Sequence, residues 1–349
     1  MKKLIAAAMA AVLTLGMQVT AFAATINTQT KNITALTGQP IDEDGKQTGA
    51  GDSVAPNQKI YFLIPPQAAG LLNNSKNFRM TTRKTTNGKF VKSVKLVEKI
   101  LLPNSKVEYV VPADDKNKNS IVKFPASKRN TYLEIELIDT TYTDEFKVEL
   151  TASFSARKAF KTALNYADGK TVFFGNTAET NKINPNDKLN LKVSFYVANK
   201  SETGDATVTV GDKGLIVKPE ANAENVITFE SSDTFATLTF DANDDPSKFY
   251  AKLSTKWTPE LLNKFRNTDA VMRRFAPVTV DSTSRATLAL NNPFDEDVDP
   301  EDVYIYTVNS KGGVVNATQR FSYNEDDDTF ELKTRTLGTY IISDVKIKN

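Results

Sequence analysis

Basic side chains near one end of the chain are the first candidates for chemistry. Between residues 76 and 99 the only acidic residue is Glu98. A local excess of cations is suited to binding an anionic partner by electrostatic attraction. An alternative is that charges on exposed strands keep them soluble and prevent edge-to-edge pairing. The predicted anion-binding residues are Lys76, Arg79, Arg83, Lys84, Lys89, Lys92 and Lys95.

Acidic side chains gather toward the other end, between residues 295 and 331, where the only basic residues are Lys311 and Arg320. A chain that is basic at one end and acidic at the other favours binding to an anionic wall or extracellular polymer. It equally favours head-to-tail association of copies through unlike faces. The alternative is again a set of solvated hairpin loops, where Asp and Asn suit turn conformations.

A calcium loop is the one metal site that the spacing suggests. Asp295, Asp297 and Asp299 follow the 1-3-5 spacing of an EF-hand loop. Position six is Pro300 rather than Gly, and position twelve is Tyr306 rather than Glu, so the pattern fails where the geometry is most demanding. We therefore predict no metal site and no cofactor beyond weak Ca²⁺ binding by the acidic loops.

Three aromatic residues, Trp257, Tyr304 and Tyr306, are the candidates for glycan binding, because exposed rings can stack on sugars. Trp257 is the only tryptophan of the chain. Aromatic residues are also ordinary core and strand residues. The alternative for all three is packing inside the fold.

Composition excludes several classes of enzyme, since the 349 residues include neither histidine nor cysteine. Ser-His-Asp and Cys-His catalysis, His/Cys zinc sites and disulfides are therefore excluded. A carboxylate-based glycosidase stays open, but no recognisable pair of carboxylates supports it. We expect a non-enzyme. The net charge of +2 disfavours a nucleic-acid binder.

The elements that must position these side chains are β-strands, which are predicted from alternating apolar and polar residues. The pattern recurs at residues 133–137, 146–154, 189–197 and 303–307. Turn signals such as Asn87-Gly88 separate the runs. Many short strands with one buried face predict a mainly β chain of two or three tandem antiparallel β-sandwich (Ig-like) domains.

Two stretches have helical features. Thr258, Pro259 and Glu260 form an N-cap, first-position proline and first-turn acid, which predict a short helix to about Arg266. Residues 156–164 are a weaker helical candidate. The predicted domains are 24–167, 168–252 and 253–349, with the capped helix leading the last one.

Residues 1–23 have the three parts of a secretory signal peptide. Lys2 and Lys3 form the basic region, residues 4–17 the apolar region, and Ala21-Phe22-Ala23 a small-x-small cleavage pattern. The alternative is a membrane anchor, but the run is shorter than about 20 residues. We expect cleavage near Ala23, no further membrane span and, without cysteine, no lipid anchor. The mature chain is then secreted, extracellular or attached to the cell surface.

The predicted last strands resemble those of a known group of bacterial proteins. Residues 329–344 end in the sequence TRTLGTYIISD, residues 53–61 form a strand-opening turn, and residues 253–265 hold an aromatic helix segment. Together they resemble uncharacterised secreted multi-domain β proteins of anaerobic Gram-positive bacteria that share such a C-terminal strand motif. The resemblance implies export and tandem β domains, and it implies no activity.

The sequence thus predicts a secreted, non-catalytic structural or adhesion protein with a polarised charge distribution, either self-assembling or associated with a wall polymer. A carbohydrate-binding protein that uses exposed aromatic rings is the alternative, and a carboxylate glycosidase is a third candidate.

Overall fold

The computed structural model describes most of the chain after the predicted signal peptide, which lies outside the described residues. The described residues are 24–25, 30–33, 39–49, 51–64, 66–101, 106–111, 120–125, 127–163, 165–166, 171–173, 180–211, 213–294 and 298–347. These residues are mainly β, as the alternation predicts, and form several sheets with few, short helices. Among them, no helix combines the length and apolarity needed to cross a membrane.

The chain divides into two compact units. Unit 1 consists of Met1–Thr140 with Asp144–Ala198, and unit 2 of Asn199–Asn349 with Thr141–Thr143. The predicted boundaries near residues 167 and 252 each fall inside a unit. Strand pairing explains this, because residues 188–197 form one ladder with residues 146–155, on the other side of the predicted boundary at 167.

Unit 1 contains an eight-stranded sheet and a three-stranded sheet, together with two two-stranded ribbons. The larger sheet has the order β12-β13-β2-β15-β10-β5, with β1 beside β2 and β3 beside β15, and the smaller one has the order β4-β9-β6. The strands are β1 Ala24–Thr25, β2 Thr30–Ile33, β3 Ser53–Val54, β4 Lys59–Leu63, β5 Phe78–Thr86, β6 Val91–Lys99, β7 Lys106–Val111, β8 Ser120–Pro125, β9 Asn130–Leu137, β10 Phe146–Ala156, β11 Phe160–Ala163, β12 Asn165–Tyr166, β13 Thr171–Phe173, β14 Thr180–Ile183 and β15 Lys188–Val197.

One core joins the two larger sheets of unit 1. Ile60 and Leu133 from the three-stranded sheet pack in the same cluster as Leu150, Phe154 and Leu191 from the eight-stranded sheet. Two sheets that bury facing apolar sides form a sandwich. Most pairings are antiparallel, whereas β2 and β3 run parallel to β15. Residues 160–163, inside the weaker helical candidate, are strand β11 rather than helix.

Unit 2 has the same two-layer construction. Its sheets have the orders β17-β19-β20-β24-β28-β27, β22-β23-β29-β25-β26 and β16-β18-β21. The strands are β16 Ser201–Thr203, β17 Ala206–Thr209, β18 Leu215–Lys218, β19 Glu224–Glu230, β20 Thr234–Asp241, β21 Phe249–Ala251, β22 Leu253–Ser254, β23 Val271–Thr279, β24 Ala286–Asn291, β25 Tyr304–Val308, β26 Val314–Asn316, β27 Ser322–Asn324, β28 Thr329–Thr334 and β29 Thr336–Ser343.

The core of unit 2 lies between these sheets. Leu238 and Leu288 of the six-stranded sheet share a cluster with Phe275 and Ile342 of the five-stranded sheet. A second cluster covers the other side of the five-stranded sheet, where Phe265 is buried against it. The five-stranded sheet is therefore buried on both faces along part of its length.

Helices are short in both units. Helix α1 is Pro66–Leu72 and helix α2 is Pro259–Lys264, with short 3₁₀ turns at Gly88–Phe90, Pro300–Asp302 and Thr318–Arg320. The predicted cap of α2 is confirmed, because the Thr258 hydroxyl oxygen accepts a hydrogen bond from the backbone N–H of Leu261 at 3.4 Å. Helix α2 is the element that covers the five-stranded sheet.

Candidate functional site

The predicted basic residues do not form one patch, because the strands that carry them belong to different sheets. Arg79 and Arg83 lie on β5, at the edge of the eight-stranded sheet. Lys92 and Lys95 lie on β6, in the three-stranded sheet. The cations must therefore be considered with the neighbours that each sheet supplies.

On the eight-stranded sheet, register brings cations and hydroxyls together on the face opposite to the core. Strand β10 is central, with its alternate residues buried and the others partly exposed. The outward residues Thr151, Ser153 and Ser155 of β10 each have one partner on β5 and another on β15. Two rows of three side chains result, a cation on each side of a hydroxyl. The rows are Arg79–Ser155–Lys188 and Arg83–Thr151–Lys192, which we call the row face.

The four cations of the row face are exposed. Neighbouring strands lie about 4.8 Å apart, so the two backbones that end a row are about 10 Å apart. The rows are separated by four residues along each strand, or about 13 Å. Between them lies a third row without charge, in which Ser153 stands between Thr81 and Asn190. The Ser153 hydroxyl donates a hydrogen bond to Oδ1 of Asn190 at 2.6 Å.

One acid interrupts this surface at its far end. Glu149 is paired in the ladder with Ser194 on one side and Thr86 on the other. Its carboxylate lies 2.6 Å from Nζ of Lys147 and accepts a hydrogen bond from the Thr86 hydroxyl at 2.9 Å. These bonds lower the pKa of Glu149, with a smaller contribution from the charge of Lys192.

On the three-stranded sheet, the cations have carboxylates as neighbours. Nζ of Lys92 lies 2.7 Å from Oε1 of Glu136, and Nζ of Lys95 lies 3.0 Å from Oε1 of Glu134. Glu134 is almost fully buried, and the approach of Lys95 is too oblique for a hydrogen bond. We call these four residues the paired face. Lys92 and Lys95, which the sequence predicted to bind anions, are thus each engaged by a carboxylate of β9.

The remaining predicted cations lie around the strand ends. Lys76 is exposed in the turn before β5. The ammonium group of Lys84 donates to the backbone carbonyl of Val91. Lys89 lies over the ring of Phe90, 5.1 Å from its centroid. None of these three stands in a row with a hydroxyl and a second cation.

The aromatic candidates lie together in unit 2, but as packing residues. Tyr306 is 1% exposed, and its hydroxyl accepts a hydrogen bond from the backbone N–H of Ile347 at 2.7 Å. Its ring therefore presents no surface to a glycan. Tyr304 is partly buried in the same cluster. Trp257 is also partly buried, with its ring centroid 5.6 Å from that of Phe265. The helix α2 that covers this face is the physical reason.

The acidic candidates are divided between described and undescribed residues. Asp295–Asp297 lie outside the described residues, and Asp299 caps a 3₁₀ turn by accepting from the N–H of Glu301 at 2.9 Å. In the β27–β28 hairpin, Asp328 accepts from Tyr323 and Asn292. Within the described part of the chain, no three His, Cys, Asp or Glu side chains form a metal-binding group. Weak Ca²⁺ binding stays a prediction.

Two cations and two hydroxyls of the row face were not among the predicted site residues. Lys188 and Lys192 alternate with the buried Leu189 and Leu191, so the strand pattern already placed them on a polar face. The partner strand could not be read from the pattern, because Ser155 and Lys188 are far apart in the sequence.

Comparisons with known proteins identify no family. No family model matches the chain, and no curated protein matches it. Two solved structures align over 88% of this chain and 89% of their own length. One is titled BspA_C_WT, at 9% identity and a TM-score of 0.21. The other is the C-terminal domain of the Streptococcus agalactiae AgI/II polypeptide BspA, at 8% identity and a TM-score of 0.19. At these TM-scores neither structure carries an argument about this chain.

Proposed function

We propose that this chain is a secreted, non-catalytic structural or adhesion protein of the extracellular or cell surface, which attaches to an anionic polymer through unit 1. The observation that carries the proposal is the row face. Its side chains are cations and hydroxyls, which bind oxyanions, and they repeat along the sheet.

The repeat suits a linear partner. An anionic group above Ser155 is within reach of the long side chains of Arg79 and Lys188 from the two sides. A second anionic group above Thr151 meets the next pair of cations about 13 Å along the strands. A polymer with regularly spaced negative charges can occupy both rows at once, and the second contact adds avidity to the first.

Protection of a sheet edge accounts for only half of this charge. Arg79 and Arg83 lie on the edge strand, where Lys and Arg prevent edge-to-edge pairing. Lys188 lies on β15, which has neighbours on both sides, so edge protection gives no reason for a cation there. Its position across the hydroxyl of Ser155 is what the binding proposal explains.

Self-association is the second candidate, favoured by the β27–β28 hairpin of unit 2. Glu325, Asp326 and Asp327 are exposed in its turn. Such a turn is complementary in charge to the row face of another copy, and contact between unlike faces generates open assemblies. The carbohydrate alternative now depends on Trp257 and Tyr304, since Tyr306 is buried.

The test uses residues 24–349, immobilised anionic polymers and a range of NaCl concentrations. Poly(glycerol phosphate) and polygalacturonate are the two polymers. The double variant Arg79→Glu/Arg83→Glu removes one end of both rows. Its matched control, Lys46→Glu/Lys128→Glu, makes the same charge change at exposed sites of unit 1 away from the row face.

We expect the row variant to bind at least one polymer about tenfold more weakly than the control, with a shallower dependence on salt. Equal loss in both variants would reduce the effect to net charge and contradict the site. Sedimentation of the wild type at low salt tests the second candidate, which predicts oligomers that dissociate as salt is raised. A monomer that binds neither polymer would overturn the proposed function as a whole.

A further inference from the structure

The geometry points to a second, independent binding site in unit 2, a cleft that takes a small molecule carrying a phosphate monoester. The cleft has a volume of about 330 Å³. It lies where β22 pairs with β23, and its lining includes Lys252, Ser254, Lys256, Arg274, Phe275 and Pro277. The proposed function of unit 1 does not depend on it.

Three basic side chains, those of Lys252, Lys256 and Arg274, line the cleft. Ser254 is paired with Arg274, and the next pair, Leu253 with Phe275, turns toward the core. Lys252 and Lys256, two residues before and after Ser254, flank β22 and also line the cleft. A single hydroxyl thus shares the lining of the cleft with three basic side chains. The lining contains no carboxylate among the described residues.

The hydroxyl of Ser254 is oriented by its own neighbour. Ser254 is 9% exposed, and its oxygen accepts a hydrogen bond from the backbone N–H of Lys256 at 3.3 Å. With the oxygen engaged as an acceptor, the hydroxyl proton can be donated to an anion in the cleft. Arg274 adds a planar guanidinium, which matches two oxygens of a phosphate at once.

An irregularity in β23 creates the concave shape. Arg274 is paired with Thr339 of β29, whereas the next recorded pair joins Val278 to Leu337. Three residues of β23 therefore face the single residue Gly338, which is a bulge. The bulge includes Pro277, which has no N–H to give to the ladder. On its other edge β23 pairs with β22, and the N–H of Ala276 donates to the carbonyl of Lys252 at 2.9 Å.

Charge and size together select the ligand class. The guanidinium of Arg274, the ammonium of Lys256 and the hydroxyl donor of Ser254 suit a phosphate dianion better than they suit a singly charged carboxylate. A volume of about 330 Å³ is at the lower end of the range for small-molecule sites and exceeds what one oxyanion fills. The phosphate is therefore expected to arrive attached to a carrier group, such as a sugar.

Calorimetric titration of residues 24–349 with glucose 6-phosphate tests the site, with inorganic phosphate, sulfate and glucose as the comparison ligands. The fluorescence of Trp257, which follows Lys256 directly in the chain, gives a second readout. We expect glucose 6-phosphate and phosphate to bind and glucose not to bind. Phosphate binding should weaken below about pH 6, where the dianion takes up a proton, whereas sulfate binding should not.

Three variants locate the binding. Arg274→Gln should weaken it about tenfold, and Ser254→Ala and Lys256→Gln severalfold each. Lys256 is exposed, so its variant keeps the test valid if Arg274→Gln does not fold. Arg83→Gln, on the row face of unit 1, is the control and should bind as the wild type does. Absence of phosphate binding by the wild type, or equal binding by Arg274→Gln and Arg83→Gln, would overturn this site without bearing on the polymer site of unit 1.

Discussion

The row face and the paired face of unit 1 carry similar cations but give them different neighbours. On the paired face, Lys92 and Lys95 each lie within 3.0 Å of a carboxylate from β9. On the row face, Arg79 and Arg83 have a serine and a threonine in register beside them, with lysines beyond. The same segment of sequence supplies both pairs of cations.

The difference shows that the pairing strand, rather than the local sequence, decides what a surface cation can do. A lysine beside a buried carboxylate stabilises the fold, because it compensates a charge that has lost water. An arginine beside a neutral hydroxyl compensates no buried charge within the sheet, and its guanidinium can bind an anion from another molecule. Counting charges along the chain cannot separate these two roles.

The largest expected difference between the two faces is in stability, after one cation is removed from each. Lys95→Met leaves the buried carboxylate of Glu134 without its ion pair, and we expect unit 1 to lose about 2 kcal/mol of unfolding free energy. Arg83→Met, at an exposed position, should change it by less than about 0.5 kcal/mol. Urea denaturation followed by far-UV circular dichroism measures both.

A double variant separates the ion pair from loss of packing. Lys95→Met combined with Glu134→Leu removes both charges and should recover most of the stability. If the double variant is as unstable as Lys95→Met alone, the carboxylate is not the cause. Equal effects of Lys95→Met and Arg83→Met would remove the distinction between the two faces.

Arg273 in unit 2 extends the comparison, as a largely buried cation that forms no ion pair with a carboxylate of the described residues. It is 7% exposed, and its guanidinium carbon lies 4.5 Å from the ring centroid of Phe235, while its Nε has no hydrogen-bond partner in the part of the chain that the structure describes. Replacing an unpaired buried charge with an apolar side chain of similar length is commonly neutral or stabilising. We expect Arg273→Met to raise the unfolding free energy of unit 2 by about 1 kcal/mol.

The stability difference between Arg273→Met and the wild type should depend on pH in a definite direction. Burial lowers the pKa of Arg273 to about 10, well below its ordinary value. The unfolded state then binds more protons than the folded state between these two values, so wild-type stability rises with pH there. The advantage of Arg273→Met should be constant up to about pH 9 and shrink above pH 10. Trp257 fluorescence follows unit 2 selectively, and a variant less stable than the wild type at pH 7 would contradict the prediction.

Local sequence rules predicted the elements of the fold well. The alternation at residues 146–154 and 189–197 corresponds to β10 and β15, and Thr258 caps its helix as expected. The weaker helical candidate was wrong, since residues 160–163 pair with β14. The structure of so short a segment is decided by its partner strand, which local propensity and periodicity do not reveal.

The candidate site was predictable only in part, for the same reason. Cations at Arg79 and Arg83 were visible in the sequence, but their partners Lys188 and Lys192 come from a strand more than 100 residues away. The ion pair between Lys95 and Glu134 could not be predicted from the sequence either, because it also depends on which strands pair. The prediction that the ring of Tyr306 is exposed was wrong. Alternation along its strand indicates one solvent-facing side, but helix α2 covers that side of the sheet.

The smallest expected effect concerns Glu149, the acid at the end of the row face. Its hydrogen bonds from Lys147 and Thr86 hold its pKa below the ordinary value of 4.5. A lowered pKa contributes stability that is present above the ordinary value and is lost as pH falls through the folded value. The carboxylate is partly exposed, so this contribution is small.

Glu149→Gln therefore makes the row face more uniformly basic at little cost to the fold. We expect about a twofold gain in affinity for poly(glycerol phosphate) at low salt, which disappears as salt is raised. The small stability difference from the wild type should exist at pH 6 and shrink as the pH falls below 4.5 and through the lowered pKa of the folded state, where the wild-type carboxylate becomes neutral as well. Glu136→Gln on the paired face is the matched control. It frees Lys92 but adds no cation to the rows, so a gain as large as that of Glu149→Gln would show that any freed lysine of unit 1 binds the polymer, and the row geometry would lose its role.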